Sequence, residues 1–540
     1  MRPLALMLLL GGMLYADITL EQINSKPPSR AKNFLIWQYF KQKITPKEAE
    51  AAFYQIKDVG INELYMYAAK TDDASIIYTT DCMSTPAKKL VTLKDRNCLR
   101  LALTPYKFSK LASSQRRKLL SRPVERAQRR WMKFMQGDNK VATPDVLLEL
   151  FVRAGQEYRH ATFNRPYSKK ELRNLSTELR FDKFIAYSIL DPELNKIQES
   201  LLHANSDMIQ DPQSNFLMGL NALRYDKKEK AIHYFDAAYQ HFYFQSDKDK
   251  ALFWKYMTTQ DTKLLKKLSE SFDINIYTLY AREHLGEPLG HYYASLDTDS
   301  ASAEKQDITD PFVWQKILSE VKSTPQEQLE ALGRRYASKN LLGVQSFIFE
   351  RATKYRKQGF IMPYKEYLDD LDTDMQAMVY AIMRQESRFI PSALSHAYAM
   401  GLMQMMPFLV HAMEKKMPQK LKSLNEMFEP QTNLTYAIKH LKWLQKSFFH
   451  PLFIAYSYNG GYGFTKQHIM NDHFTKGAYE PFMSIEMMLN SESREYGKKV
   501  LANYVVYKEI LGEKISLLKL LDALNNPKAT DRFRTQSSSM

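Results

Sequence analysis

Cysteine is almost absent from this chain of 540 residues; two stand in it, Cys82 and Cys98. That number excludes a disulfide scaffold, and their spacing is not that of a metal-ligand set, so no metal and no cofactor are expected. Glycine is scarce as well, 18 in all, while Lys, Glu, Leu, Ala and Met are abundant, which predicts a mostly helical protein. The apolar run Leu4 to Leu10 falls well short of the ~20 residues a membrane-crossing helix needs. The formal net charge of +16 suggests nucleic acid as a partner, yet helix-turn-helix, zinc and RNA-binding motifs are missing. The length exceeds what one core supports and predicts two to four domains.

Met1-Arg2, the apolar run and then Tyr15-Ala16 form a secretory signal peptide over residues 1–16, with cleavage expected after Ala16 although Leu14 stands where a small residue is usual. Export argues against nucleic acid and against membrane association beyond that peptide. In an oxidising compartment Cys82 and Cys98 are expected to pair, the alternative being two unrelated buried thiols. The densest basic run holds Arg116, Arg117, Lys118, Arg122, Arg126, Arg129, Arg130 and Lys133. It reads as a solvated helical face or as a surface that attracts an anionic polymer.

Helix starts punctuate the chain from about residue 26 to 305. Thr45-Pro46-Lys47-Glu48 and Ser168-Lys169-Lys170-Glu171 are capping boxes, and Thr143-Pro144 and Asp191-Pro192 mark further starts. Gly219, Leu220, Leu223, Ala231 and Phe235 carry the small-and-large alternation of a tetratricopeptide-like helix pair. These features predict an N-terminal α-superhelix of helix pairs over residues 17–305, with an ordinary irregular helical domain as the alternative. Asp297 to Asp310 reads as an exposed connection. Thr324-Pro325-Gln326-Glu327 opens a helix within a linker domain, 306–358. A separately folded domain spans 359–518, and a polar tail, 519–540, is expected to be disordered after about residue 520.

One carboxylate stands out. Met375, Met378, Val379, Ile382 and Met383 recur at the spacing of a buried helix face, and the next position on that stripe is Glu386. Asp372 or Thr373 caps this helix and Pro391 cannot continue it. An acid ending an apolar stripe has a poorly solvated ionised form, so its pKa is expected to rise toward the range of a general acid. The alternative is a helix end paired with Arg384 or Arg388. No Asp or Glu follows until Glu414, which looks solvated beside Lys415 and Lys416; Glu426 and Glu429 lie near the turn at Pro430.

Glu386-Ser387, then Ser395, Gly401-Leu402-Met403-Gln404-Met405-Met406-Pro407, and Tyr458-Asn459 with Gly461 occur in that order. Glu492-Ser493-Arg494-Glu495-Tyr496 follows, with Lys499-Val500-Leu501 and Tyr504. Together these segments, from about 359 to 515, resemble the catalytic domain of the large soluble lytic murein transglycosylases. The resemblance implies a lysozyme-like C-terminal domain, a periplasmic location and peptidoglycan glycan strands as the substrate. It implies that Glu386 protonates the oxygen between N-acetylmuramic acid and N-acetylglucosamine while the substrate's N-acetyl group assists departure. The carboxylate then takes the proton of the muramyl C6 hydroxyl, which closes a 1,6-anhydro ring; the intramolecular attack replaces an encounter with water. The same resemblance places Ser395, Gln404, Met406, Tyr458, Asn459, Glu492 and Tyr496 on the substrate. For Ser395 a turn or cap is the alternative, for Gln404 an amide satisfied by backbone, and for Glu492, Arg494 and Tyr496 a structural ion pair and core aromatic.

The chain departs from the family at Tyr398-Ala399-Met400, where Gly-Ala is usual, and at Ser457-Tyr458-Asn459-Gly460-Gly461, where Ala-Tyr-Asn-Ala-Gly is usual. The bulky Tyr398 is expected to narrow the groove and alter which glycan fits. Glycosidases normally need two carboxylates, and a lone Glu386 is consistent with a substrate that supplies the rest. The rivals are a lysozyme-type hydrolase that uses water and an inactive helical-repeat scaffold. Chain-end preference, cross-link preference, contact with other cell-wall enzymes and oligomeric state stay open.

Overall fold

The computed structural model describes residues 18–298, 305–471 and 473–534. Among them the chain is mostly helical, as composition predicts, and its strands are Tyr292–Tyr293 and Gln358–Gly359, paired in parallel. No helix among the described residues is long and apolar enough to cross a membrane. The signal-peptide segment, 1–16, lies outside the described residues.

Caps sit where the local sequence asks for them. Thr45 and Ser168 each accept the N–H three positions on, while Glu48 and Glu171 reach back to the cap amide. Thr143-Pro144 and Asp191-Pro192 open Pro144–Arg153 and the 3-10 turn Pro192–Leu194. At Thr324-Pro325 the outcome differs. Thr324 closes the helix Pro311–Ser323, and a 3-10 turn, Gln326–Gln328, precedes the next helix, Leu329–Arg335.

Packing divides the chain into two compact units, each assembled from pieces distant in sequence. The first holds residues up to 73, 291–446 and 506–514; the second holds 74–290, 447–505 and 515 onward. Residues 359–518 therefore contribute to both units, and the packing does not divide at 358/359.

In the second unit each helix packs on its neighbour in sequence, Pro212–Arg224 on Lys228–His241, then Gln245–Thr259, Thr262–Ser269 and Ile276–Leu285. This is the succession of helix pairs expected of an α-superhelix. Gly219 is what lets the first pair close, since a Cβ there would stand 2.4 Å from the Phe235 ring. The first unit repeats the device at the same sequence separation, where a Cβ on Gly333 would stand 2.5 Å from Phe349 in the pair Leu329–Arg335 and Leu342–Ala352.

A buried ion cluster joins the helix pairs of the second unit to its later segments. Lys498 donates to both oxygens of Glu486 at 3.1 Å and to the Tyr277 hydroxyl at 3.1 Å, and it pairs with Glu495 at 3.0 Å. Tyr277 in turn donates to Glu486. Glu486, Lys498 and Tyr277 are all buried. Burial, and then the facing Glu486, pushes the Tyr277 hydroxyl well above its ordinary range. Each charge has been taken out of water and is held by its partners, so removing one partner is costly.

Two expectations change. The chain after residue 520 is not structureless: Leu517–Ala523 and Pro527–Thr530 are helical, Asp531 is fully buried, and Phe449 N–H donates to Thr530 O at 2.8 Å. Leu517, Leu521 and Leu524 form a buried stripe that the polar average of the tail conceals. Residues 535–540 lie outside the described residues. The basic run divides in two. Arg116, Arg122 and Arg129 donate to the backbone carbonyls of Ser109, Lys94 and Leu120, and Arg130 forks onto Asp145 at 2.9 and 3.1 Å. Arg117, Lys118, Arg126 and Lys133 remain exposed. In the connection from Asp297 to Asp310, residues 299–304 lie outside the described residues, while Ile308 is buried beside Trp314 and Ile317.

Cys82, in the helix Ala74–Ser84, is bonded to Cys98, in the helix Arg96–Ala102, with Cα atoms 4.9 Å apart. Closing a loop of this size contributes roughly 3 kcal/mol. Denaturant titration of Cys82→Ser should show a loss of about that size against oxidised wild type, and reductant should remove the difference. Lys498→Met should cost about 3–5 kcal/mol because it takes from the buried Glu486 the cation that donates to both its oxygens. A urea midpoint unchanged from wild type would show that the cluster contributes no more than a surface pair.

Candidate active site

The helix Thr373–Glu386 is buried at Met375 and from Ala377 through Arg384, and its start is fixed by Asp372, whose carboxylate accepts the Met375 N–H at 2.8 Å. The apolar stripe carries Glu386 to the last helical position, where it is half-buried. Ser387 closes the helix: its N–H donates to Met383 O at 3.1 Å and its hydroxyl to the same carbonyl at 3.2 Å. Arg388 and Phe389 then take left-handed backbone conformations (φ 53° and 65°), which turns the chain sharply after the glutamate. Gly343 lies beneath this turn, since a Cβ there would stand 2.5 Å from Phe389 O.

The two arginines that flank Glu386 meet on another carboxylate. Glu350 is buried; it accepts from Arg384 at 3.3 Å, from Arg388 at 2.9 Å and from the Gly359 N–H at 2.9 Å. Arg384 also donates to Gly359 O at 2.8 Å and lies 4.0 Å above the Phe360 ring. Glu350 therefore anchors both sides of the helix end. The sequence offers no sign of it, because nothing local marks a glutamate on Leu342–Ala352 as buried.

Residues 393–406 form a tight looped hairpin with bridges Leu394–Met400 and Met400–Met405. Ser395 Oγ accepts the N–H groups of Ala397 and Ala399 at 3.2 and 2.9 Å, so it shapes the turn, as the alternative reading had it. Gln404 donates its amide to Ala393 O at 2.9 Å and Gly401 O at 2.8 Å, which satisfies the NH2 by backbone; its Oε1 takes part in neither bond. Met403 and Met405 are core, while Met406 is half-buried and caps the helix Pro407–Glu414. Asn433, missed in the sequence, organises the hairpin from beneath: it accepts the Met403 N–H at 2.9 Å and donates to Met400 O at 3.0 Å and Met427 O at 2.8 Å. A Cβ on Gly401 (φ 79°) would strike this side chain at 2.1 Å. The signal was present, since Asn433 continues the buried stripe Ala437, Leu441 and Leu444.

Tyr398 is taken up by side chains outside the hairpin. Its ring packs against Phe34 and Trp37 with centroids 5.6 and 5.4 Å apart, and its hydroxyl donates to Glu63 at 2.8 Å. The backbone there is left-handed (φ 63°), a strain of order 1–3 kcal/mol for a non-glycine residue. Glu414 also departs from expectation: it is buried and its carboxylate lies 3.8 Å from His411 Nδ1. Glu426 is a helix cap, accepting the N–H groups of Lys422 and Ser423.

In the second unit Tyr458 and Asn459 end the helix Pro451–Gly460, both half-buried. Asn459 accepts the Ser493 hydroxyl at 2.8 Å and donates to Glu492 at 3.2 Å, which joins the two late motifs. Glu492 is exposed. Tyr496 is buried, and Arg494 donates to Met488 O at 2.9 Å. Tyr496 thus stands as a core aromatic, while this bond of Arg494 is to a backbone carbonyl. Among the described residues no cluster of His, Cys, Asp and Glu could hold a metal ion.

Residues 368–480 match the transglycosylase SLT domain family. Over 214 residues the chain is 28% identical to the soluble lytic murein transglycosylase of Escherichia coli K12, covering 38% of this chain and 32% of that protein. It is 36% identical over 100 residues to the membrane-bound lytic murein transglycosylase C of Sodalis glossinidius, covering 16% of this chain and 28% of that protein. The match thus spans about a third of the length of these curated relatives. The 70-kDa soluble lytic transglycosylase of Escherichia coli aligns over 94% of this chain and 84% of its own, with TM-score 0.46 and 15% identity. The chain carries a transglycosylase SLT domain and is related through it to the soluble lytic murein transglycosylases.

Proposed function

We propose that this protein is a periplasmic lytic transglycosylase that cleaves the β-1,4 bond between N-acetylmuramic acid and N-acetylglucosamine in peptidoglycan. The observation that carries this reading is Glu386 at the half-buried end of a helix whose apolar stripe is buried, inside the segment that matches the SLT domain. In this reading Glu386 first gives its proton to the glycosidic oxygen. The carboxylate so formed next removes the proton from the muramyl C6 hydroxyl, which attacks C1 and closes the 1,6-anhydro ring. One group performs both transfers because the nucleophile belongs to the substrate and is already in place.

Gln404 suits recognition of an N-acetyl group. With its NH2 taken by two backbone carbonyls, the side chain keeps Oε1 as an acceptor for the acetamido N–H. Ser395 keeps its hydroxyl proton as a donor once its oxygen has accepted two amides. Met406 offers a half-buried apolar edge to the sugar ring. Tyr458 and Asn459 enter through their motif, with Glu492 holding Asn459. Tyr496 supports the fold from its buried place. The four exposed cations of the basic run supply attraction for a polymer whose stem peptides carry carboxylates.

Purified protein digested with peptidoglycan should release muropeptides with 1,6-anhydromuramic ends, lighter by one water than hydrolysed ends in mass spectrometry. Reducing muramic ends as the main product would make the enzyme a lysozyme-type hydrolase, and no release would leave an inactive scaffold. Glu386→Gln keeps the shape of the side chain but can transfer no proton, so its turnover should fall by ~10²–10⁴-fold or more while glycan binding persists.

A further inference from the structure

The hairpin that carries Ser395 and Gln404 is braced from within the SLT segment by Asn433 and gripped from outside it by the helices Arg30–Tyr39 and Ile61–Ala68. Arg30, at the start of the helix Arg30–Tyr39, donates to Leu394 O at 3.0 Å and lies 2.7 Å from His396 Nε2. Phe34 and Trp37 of the same helix, themselves stacked at 5.6 Å, take the Tyr398 ring. Glu63, on the helix Ile61–Ala68, takes the Tyr398 hydroxyl at 2.8 Å. The hairpin is thus gripped at residues 394, 396 and 398. Its far side depends on the same segment, because Gln404 donates to Ala393 O and the Gly401 N–H donates to that carbonyl at 2.9 Å.

Three residues of this hairpin, Tyr398, Gly401 and Gln404, have left-handed backbone. A chain segment bent in this way keeps its shape only where its surroundings determine it. At Tyr398 that surrounding is an aromatic clasp and a charge-assisted hydrogen bond, both supplied from more than three hundred residues earlier in the chain.

We propose that Tyr398 and Glu63 are positioning residues for glycan recognition, through which the N-terminal helices set the geometry of Ser395 and Gln404. The inference rests on the reading of this loop as a glycan-binding element. Tyr398 occupies a place where glycine is usual in the resembling family. Glycine would relieve the left-handed backbone and release the clasp. A groove-narrowing role and a positioning role therefore predict opposite effects of Tyr398→Gly.

The test uses the full chain with Tyr398→Gly, Tyr398→Phe and Glu63→Gln. Amide hydrogen exchange at Ala399, Gly401 and Gln404 should quicken in Tyr398→Gly and in Glu63→Gln, while the Thr373–Glu386 helix keeps its protection. On glycan strands prepared from peptidoglycan, KM should rise roughly tenfold, the scale of one charge-assisted hydrogen bond, with the anhydro product and the pH profile of kcat unchanged. Tyr398→Phe and Glu63→Gln, combined, should cost no more than either alone. Unchanged exchange in the hairpin, or an unchanged or lowered KM in Tyr398→Gly, would overturn the proposal. Wild-type protein that cleaves no peptidoglycan would overturn the reading of the reaction, and the exchange experiment would still decide the clasp.

Discussion

Glu350 is the point on which the candidate site turns. A carboxylate taken out of water needs cations and donors arranged around it, and here these are Arg384, Arg388 and the Gly359 amide. Because the two arginines stand on either side of Glu386 in sequence, satisfying Glu350 fixes the last turn of the helix and the left-handed turn after it. Removing the carboxylate would leave Arg384 buried with its main anion gone, at a cost of about 3–5 kcal/mol. Glu386 is presented by a backbone that has little freedom to move.

The same logic recurs at larger scale. In each unit, a glycine lets a helix approach an aromatic ring and close a pair, at Gly219 with Phe235 and at Gly333 with Phe349. In each unit a buried charge cluster also joins segments far apart in the chain, Glu350 with its arginines in one and Glu486 with Lys498 and Tyr277 in the other. Packing brings elements together without fixing their register; paired buried charges tolerate only one arrangement. The stretch that matches the SLT domain is held in this way by helices outside it. There Tyr398 meets Phe34, Trp37 and Glu63.

Where local sequence dominates the physics, it was readable. The caps at Thr45, Ser168 and Asp372, the helical stripe ending at Glu386, and the small-and-large pair Gly219 and Phe235 are short-range patterns, and each stands where it was expected. Misreadings arose where charge or composition was judged by sequence neighbours. Glu414 looked solvated beside two lysines and is buried. The tail looked polar on average, while Leu517, Leu521 and Leu524 carry a core stripe. For Ser395 and Gln404 the bonds seen are to backbone, and Tyr496 is buried, as the alternatives held open for them describe.

From the sequence alone came a mostly helical chain, the identity and order of the motifs, and the helix end that bears Glu386. These depend on periods of three and four residues and on side chains that act within one turn. What tertiary structure decided is which distant group satisfies each buried polar atom: Glu350 for Arg384, Asn433 for the hairpin, Glu63 for Tyr398. Glu63 and Tyr398 lie 335 positions apart, and no local pattern records such partners. They are chosen when burial removes water as an alternative partner, a condition that exists only once the chain has folded.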